Sequence, residues 1–177
     1  MSDCCAKSQK NEPRSGGLCP ACGAEGRPVE TITLKALLLP GALARLLPLH
    51  YHFCRTPACP VVYFANDAES IYHKEDLKVR VGLKEEEDPI PVCYCFGHTR
   101  ASIRDEIERT GGTTVVEAIS AHVRAGRCAC EVNNPSGTCC LGEVSRAVKD
   151  LLRHNAGQSE GSAASGTGCC CHGSCDR

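Results

Sequence analysis

The sequence predicts an α+β protein: a small β-rich part, a helical part after it, and a disordered tail. Three observations predict this. Residues 18–84 hold short apolar runs rich in β-branched and aromatic residues, broken by Gly and Pro. From residue 92 onward the apolar period lengthens to three or four, the spacing of helices. Past residue 154 Gly and Ser take over. The chain has sixteen cysteines in 177 residues, no Trp, three Phe and four Tyr. Its apolar core must be modest and mostly aliphatic, and small cores are commonly stapled by disulfides or metals.

The elements follow in order. Residues 1–17 are polar and predicted to be disordered. In 18–84, VETITLKALLL, GALARLL (bracketed by Pro40 and Pro48), LHYHFC, PVVYFA and the alternating LKVRVGL read as short strands around one helical turn or short helix. KEEEDPIP, residues 84–91, reads as a solvated connector, its carboxylates a linker and not a catalytic pair. TRASIRDEIERTGG has a Thr cap, Ile103 and Ile107 four apart and a Gly stop, which predicts a helix over about 99–110. TTVVEAISAHVRAG predicts a second helix, opening at Thr113 or Thr114 and closing near Gly126. LGEVSRAVKDLLRHNAG predicts a third, with Leu141, Val144, Val148, Leu151 and Leu152 on one face. The domains are thus 1–17, 18–84, 85–154, and a linker and tail over 155–177.

Composition excludes several functions. The formal net charge is −1 and no basic stripe is present, against nucleic acid or an anionic membrane surface as partner. The N-terminus shows no basic-then-apolar leader and no stretch nears the roughly 18 apolar residues of a membrane span, so a cytoplasmic location without membrane insertion is expected. Cytosolic thiols stay reduced, and clustered ones then point to metal. No nucleophile–base set, phosphate loop or nucleotide fingerprint marks an enzyme.

Two thiol sets carry the chemistry. Cys19 and Cys22 sit in CPACG, a tight turn closed by glycine, and Cys54 and Cys59 flank a second turn marked by Pro57. Four thiolates on two turns joined by strands suit tetrahedral Zn2+, which has no redox chemistry and staples a small core. His50, His52 and His73 are rival ligands by chemistry, but on strand-like segments they read as ordinary histidines.

The second set begins at VCYCF. Cys93 and Cys95 precede two helices of similar length, each roughly 18 Å long, and an antiparallel pair returns the chain, bringing Cys130 beside them. The turn Asn134-Pro135-Ser136-Gly137 then folds Cys139 and Cys140 back to the same place. A four-cysteine [2Fe–2S] cluster needs two thiolates per iron. The Cys-x-Cys loop is expected to hold two sulfurs near one iron, with Cys130 and one of the vicinal pair completing the set. Spacing alone does not choose between Cys139 and Cys140.

CPACG, HFCRTPACPVVYF, LKVRVGLKEEEDPIPVCYC and CEVNNPSGTCC resemble the N-terminal iron–sulfur and zinc module of archaeal CopZ-type copper chaperones, over about residues 18–153. The helical part is also similar to bacterioferritin-associated ferredoxin. The resemblance implies zinc ligands at Cys19, Cys22, Cys54 and Cys59, and cluster ligands at Cys93, Cys95, Cys130 and Cys140. It does not call for Cys128, a thiol placed to substitute for Cys130. In those chaperones a copper domain with a Met-x-Cys-x-x-Cys loop follows, whereas the only methionine here is Met1. The tail offers Cys169, Cys170, Cys171, His172 and Cys175 instead, soft ligands for Cu+, Hg2+, Cd2+ or Zn2+, with Cys4 and Cys5 as further thiols. The resemblance implies a metallochaperone for a soft ion, copper(I) first, its cluster reducing the metal and a metal-transporting ATPase or other transporter receiving it. The rival expectations are a ferredoxin-like electron carrier and a metal-sequestering resistance protein.

Overall fold

The structure, a computed structural model, describes residues 17–67 and 69–156 in full and the backbone of 157–160. Its first half is a four-stranded antiparallel sheet: β1 (Arg27–Val29), β2 (Tyr51–Phe53), β3 (Val61–Ala65) and β4 (Ile71–His73), paired in sequence order. Two short helices, α1 (Thr31–Leu37) and α2 (Pro40–Leu43), lie between β1 and β2. TITLKAL is therefore helical, burying Thr33, Leu34 and Leu37 at helical spacing. All five residues of β3 are buried, because the strand is covered on both faces. Val62, Tyr63 and Ala65 join the core with Leu34, Leu38 and Tyr51, and Val61 and Phe64 pack with Cys19, Cys54 and Cys59.

LKVRVGL is not a strand. Leu77 makes a single bridge to Leu38, and a 3₁₀ turn follows at Gly82–Lys84. Leu77 and Val81 are buried as the alternation requires, yet the segment's one bridge is to the turn after α1 and it has no strand to pair with. The connector is likewise more fastened than expected. The Arg80 guanidinium donates to the Glu85 carboxylate at 2.7 Å and to the Glu87 and Pro89 carbonyls at 2.8 and 2.9 Å, and Arg104 pairs with Asp88. Lys84, placed by composition in that solvated run, is only 6% exposed.

The second half holds a small hairpin, β5 (Pro91–Cys93) and β6 (His98–Thr99), then α3 (Arg100–Thr110), α4 (Val115–Arg124), α5 (Cys130–Asn133) and α6 (Leu141–Glu160). Thr99 caps α3, its hydroxyl accepting the Ser102 N–H at 3.1 Å, and Gly111 ends it at φ 77°. Ile103, Ile107, Val115, Ile119, Val144 and Val148 form this half's core. Leu152 is 37% exposed and Ala147 is buried instead, since residue 152 lies about 100° around the helix from 151. Helix α6 runs past Asn155, where the linker was expected. Among the described residues no helix is long and apolar enough to cross a membrane.

The two halves meet at the segment between Cys130 and Cys140. Thr33 on α1 donates to the Glu131 carbonyl at 2.6 Å, buried Tyr63 on β3 donates to the Pro135 carbonyl at 2.7 Å, and Arg27 on β1 donates to the Thr138 hydroxyl at 2.8 Å. Tyr63→Phe leaves a buried carbonyl without its donor and is expected to cost about 1–3 kcal/mol. A urea midpoint equal to the parent's would show that this contact does not hold the halves together.

Candidate metal centres

The first centre rests on two turns. CPACG folds back so that the Gly23 N–H reaches the Cys19 carbonyl at 2.8 Å, with Gly23 at φ 69°, a conformation that side chains resist. The Cys54–Cys59 turn leaves β2 and re-enters β3, and the Cys54 N–H is tied to the Val62 carbonyl at 2.9 Å. The Sγ atoms of Cys19, Cys22, Cys54 and Cys59 all lie within 4.8 Å of one another, with Cys19–Cys59 at 3.8 Å and Cys22–Cys54 at 3.7 Å. A tetrahedron with Zn–S bonds of about 2.3 Å has edges of about 3.8 Å, so two edges match it as they stand and the remaining ones exceed it by at most about 1 Å. His50, His52 and His73 are not part of it; His52 is buried, stacked on Phe64 at 5.4 Å.

Local groups tune these thiols. The Thr56 hydroxyl at 3.3 Å and the Ala24 N–H hold Cys22 down to about 6. Burial pushes Cys59 up to about 12 and Cys19 upward, against amide donors at Val61, Cys22 and Ala21. A bound dication favours all four thiolates together, which neutral surroundings do not. Beneath the turn, the Lys84 Nζ donates to the Thr56 and Cys59 carbonyls at 2.8 and 3.0 Å. These bonds make burial of an ammonium tolerable and place a positive charge behind the thiolates. No sequence pattern marks Lys84 for this; its position follows from the 3₁₀ turn at Gly82–Lys84.

The second set is arranged differently. Cys95 and Cys130 meet at 3.7 Å, and Cys93 and Cys140 are buried in the same core, near enough to shift each other's titration. Each thiol of the Cys-x-Cys loop therefore pairs with a distant thiol and not, as the spacing predicts, with its neighbour: Cys93 ends β5, whereas Cys95 lies in the turn that follows it. Cys140 is 2% exposed and Cys139 is on the surface. Cys130 is buried and Cys128 half-buried against the same core. Donors surround the sulfurs: the Ala129 N–H at 3.4 Å and the Asn133 amide at 3.7 Å reach Cys95. The Cys140 N–H serves Cys130 and the Phe96 and Cys95 N–H groups serve Cys93. The Cys140 thiol, helped by those amides and opposed by burial, holds Cys93 down to about 6, whereas the Cys93 thiol and burial push Cys140 up. Burial takes Cys130 to about 12.

Tyr94, between the two loop cysteines, links the centres. Its hydroxyl accepts the Gly82 N–H at 2.8 Å and donates to the Arg80 carbonyl at 3.1 Å. Lys84, in the same turn as Gly82, holds the Cys54–Cys59 loop. Cys169, Cys170, Cys171 and Cys175, with Cys4 and Cys5, lie outside the described residues.

Residues 16–78 match a family model of the CopZ type described as a zinc binding domain. Over 128 residues the chain is 37% identical to the copper chaperone CopZ of Archaeoglobus fulgidus, covering 72% of this chain and 60% of that relative. The X-ray structure of the Archaeoglobus fulgidus CopZ N-terminal domain superposes with a TM-score of 0.62 at 36% identity, covering 72% of this chain and 95% of that one. This is a CopZ-type N-terminal module. Its thiol quartet lies within the segment that matches the zinc-binding family, while Cys93, Cys95, Cys130 and Cys140 lie beyond that segment. The CopZ-type module spans 60% of the length of the curated relative it matches.

Proposed function

We propose that the protein is a metallochaperone that binds a soft metal ion, Cu+ first, and hands it to a metal-transporting ATPase or another metal transporter. In this reading Cys19, Cys22, Cys54 and Cys59 hold a structural Zn2+, and Cys93, Cys95, Cys130 and Cys140 hold a [2Fe–2S] cluster. The observation that carries the reading is the contrast between the two thiol sets. One closes into a quartet, and the other sets Cys95 against Cys130 at 3.7 Å and Cys93 beside Cys140 in the same core. A quartet suits one tetrahedral ion, and two pairs suit two irons. When bound, such a cluster supplies one-electron transfer, the chemistry that converts Cu(II) to the Cu(I) that thiolates prefer. The sulfur-directed amides of Ala129, Asn133, Phe96 and Cys140 offset cluster charge and shield it from water.

The cargo belongs to the tail thiols Cys169, Cys170, Cys171 and Cys175, a dense set outside both centres. Deleting residues 161–177 keeps α6 whole and is expected to leave the thermal midpoint and visible spectrum unchanged while abolishing tight Cu(I) binding, measured by competition with a chromogenic chelator. If the truncated chain retains that affinity, the tail does not carry copper. If it also retains its affinity for Hg(II), the reading passes to electron transfer.

A further inference from the structure

Neither thiol centre uses Cys139 or the three arginines around it. A cavity of about 240 Å³ lies between the two halves, lined by Arg27, Arg55, Arg146, Thr138, Cys139 and Gly142. The guanidiniums come from three separate places: β1, the Cys54–Cys59 turn, and the second turn of α6. Arg27 is fixed by its bond to the Thr138 hydroxyl at 2.8 Å. Among the described residues, the ion pairs fall on Arg45, Lys74, Arg80, Arg104 and Arg153; Arg55 and Arg146 are in none of them. One carboxylate residue, Glu143, also lines the cavity, so its lining carries three cationic residues and one anionic one.

Gathering like charges about a small space is repulsive unless an anion joins them. The first turn of the twenty-residue α6 adds to the field. Glu143 and Val144 donate back to the Cys140 carbonyl, and the amides of Leu141 and Gly142, one residue earlier, have no carbonyl within the helix to reach. Nothing stands within 4 Å of where a Gly142 side chain would project, so that approach is open. Planar guanidiniums grip oxyanions in two-point fashion. The volume falls short of the roughly 300–1,000 Å³ that takes a drug-sized molecule.

We infer that this cavity binds a compact oxyanion, an inorganic phosphate or sulfate or a small carboxylate, beside the Cys139 thiol. The test uses the full chain with its metals bound. Calorimetric titration with inorganic phosphate, and separately with malonate, at ionic strength held constant by chloride, is expected to show one saturable site of about millimolar Kd or tighter. The tighter arm distinguishes an inorganic oxyanion from a carboxylate. Peptide mapping then locates the site. Cys139 is expected to react faster with anionic iodoacetate, relative to neutral iodoacetamide, than a free thiol does, and saturating phosphate is expected to suppress that preference. Arg146→Gln, with an unchanged thermal midpoint, is expected to weaken binding about tenfold, roughly the loss of one charge-assisted contact. Binding no stronger than chloride's, an unchanged affinity in Arg146→Gln and Arg55→Gln, or a Cys139 protected from both reagents would overturn the proposal. The arginines would then only balance the charge of the neighbouring metal centres.

Discussion

Cys54→Ser is expected to unfold the sheet half as a unit, lowering its thermal midpoint by about 10 °C or more. The sheet half buries twelve side chains in a core of its own, but Cys19, Cys54 and Cys59 form a separate small core with Val61 and Phe64, which depends on the thiols. The free energy of binding a structural zinc, about 10–16 kcal/mol in small zinc modules, is folding free energy. Forfeiting even a third of it removes about 3–5 kcal/mol, a large share of a domain's usual 5–15 kcal/mol. At 2–4 °C per kcal/mol, that is about 10 °C. The effect should spread, because Arg27, Thr33 and Tyr63 carry the sheet's hold on the segment from Cys130 to Cys140. Chelation of the parent should reproduce the shift, and the variant should be insensitive to chelator. A Cys54→Ser protein that melts within a degree of the parent and still holds one zinc would refute the four-cysteine assignment.

Cys140→Ser is expected to abolish the red-brown colour of protein purified without oxygen, whereas Cys139→Ser keeps it. Parent protein should contain about two irons and two acid-labile sulfides per chain. The two cysteines are adjacent and chemically identical, so the difference is purely one of place: Cys140 faces Cys93 from within the core, and Cys139 faces solvent. Cys95→Ser should act like Cys140→Ser, because it breaks the other pair. The measurements are the visible absorbance and the iron content after anaerobic reconstitution. Equal bleaching by Cys139→Ser, or colourless parent protein, would remove the cluster from the proposed function.

Much of this was legible in the chain because it is local. CPACG and Cys54–Cys59 are turns whose glycine and proline choose the backbone. The helix over 99–110 was readable from Thr99, the Ile103–Ile107 spacing and the Gly stop, and the structure places α3 at Arg100–Thr110. The Asn134–Gly137 turn was readable from its proline and glycine and closes with a bond of 2.8 Å. Such features depend on residues within a few positions of each other, so neighbouring chain contains the whole cause.

What the sequence could not decide depends on groups that arrive from elsewhere. LKVRVGL has a strand's alternation, but a strand also needs an edge to pair with, and the segment makes a single β-bridge, to Leu38. Lys84 belongs by composition to a solvated charge run, yet the 3₁₀ turn carries its ammonium under the Thr56 and Cys59 carbonyls. Cys93 and Cys95 could be seen as a pair of thiols. That each would face a different partner followed only when β5 ended at Cys93, the hairpin turn carried Cys95, and α4, α5 and the Asn134 turn delivered Cys130 and Cys140. The sequence by itself determined which thiols stand on turns and which helices flank them. Tertiary structure decided which thiols meet and which stay on the surface, because those contacts join residues 32 to 47 positions apart whose approach is governed by the packing of the elements between them.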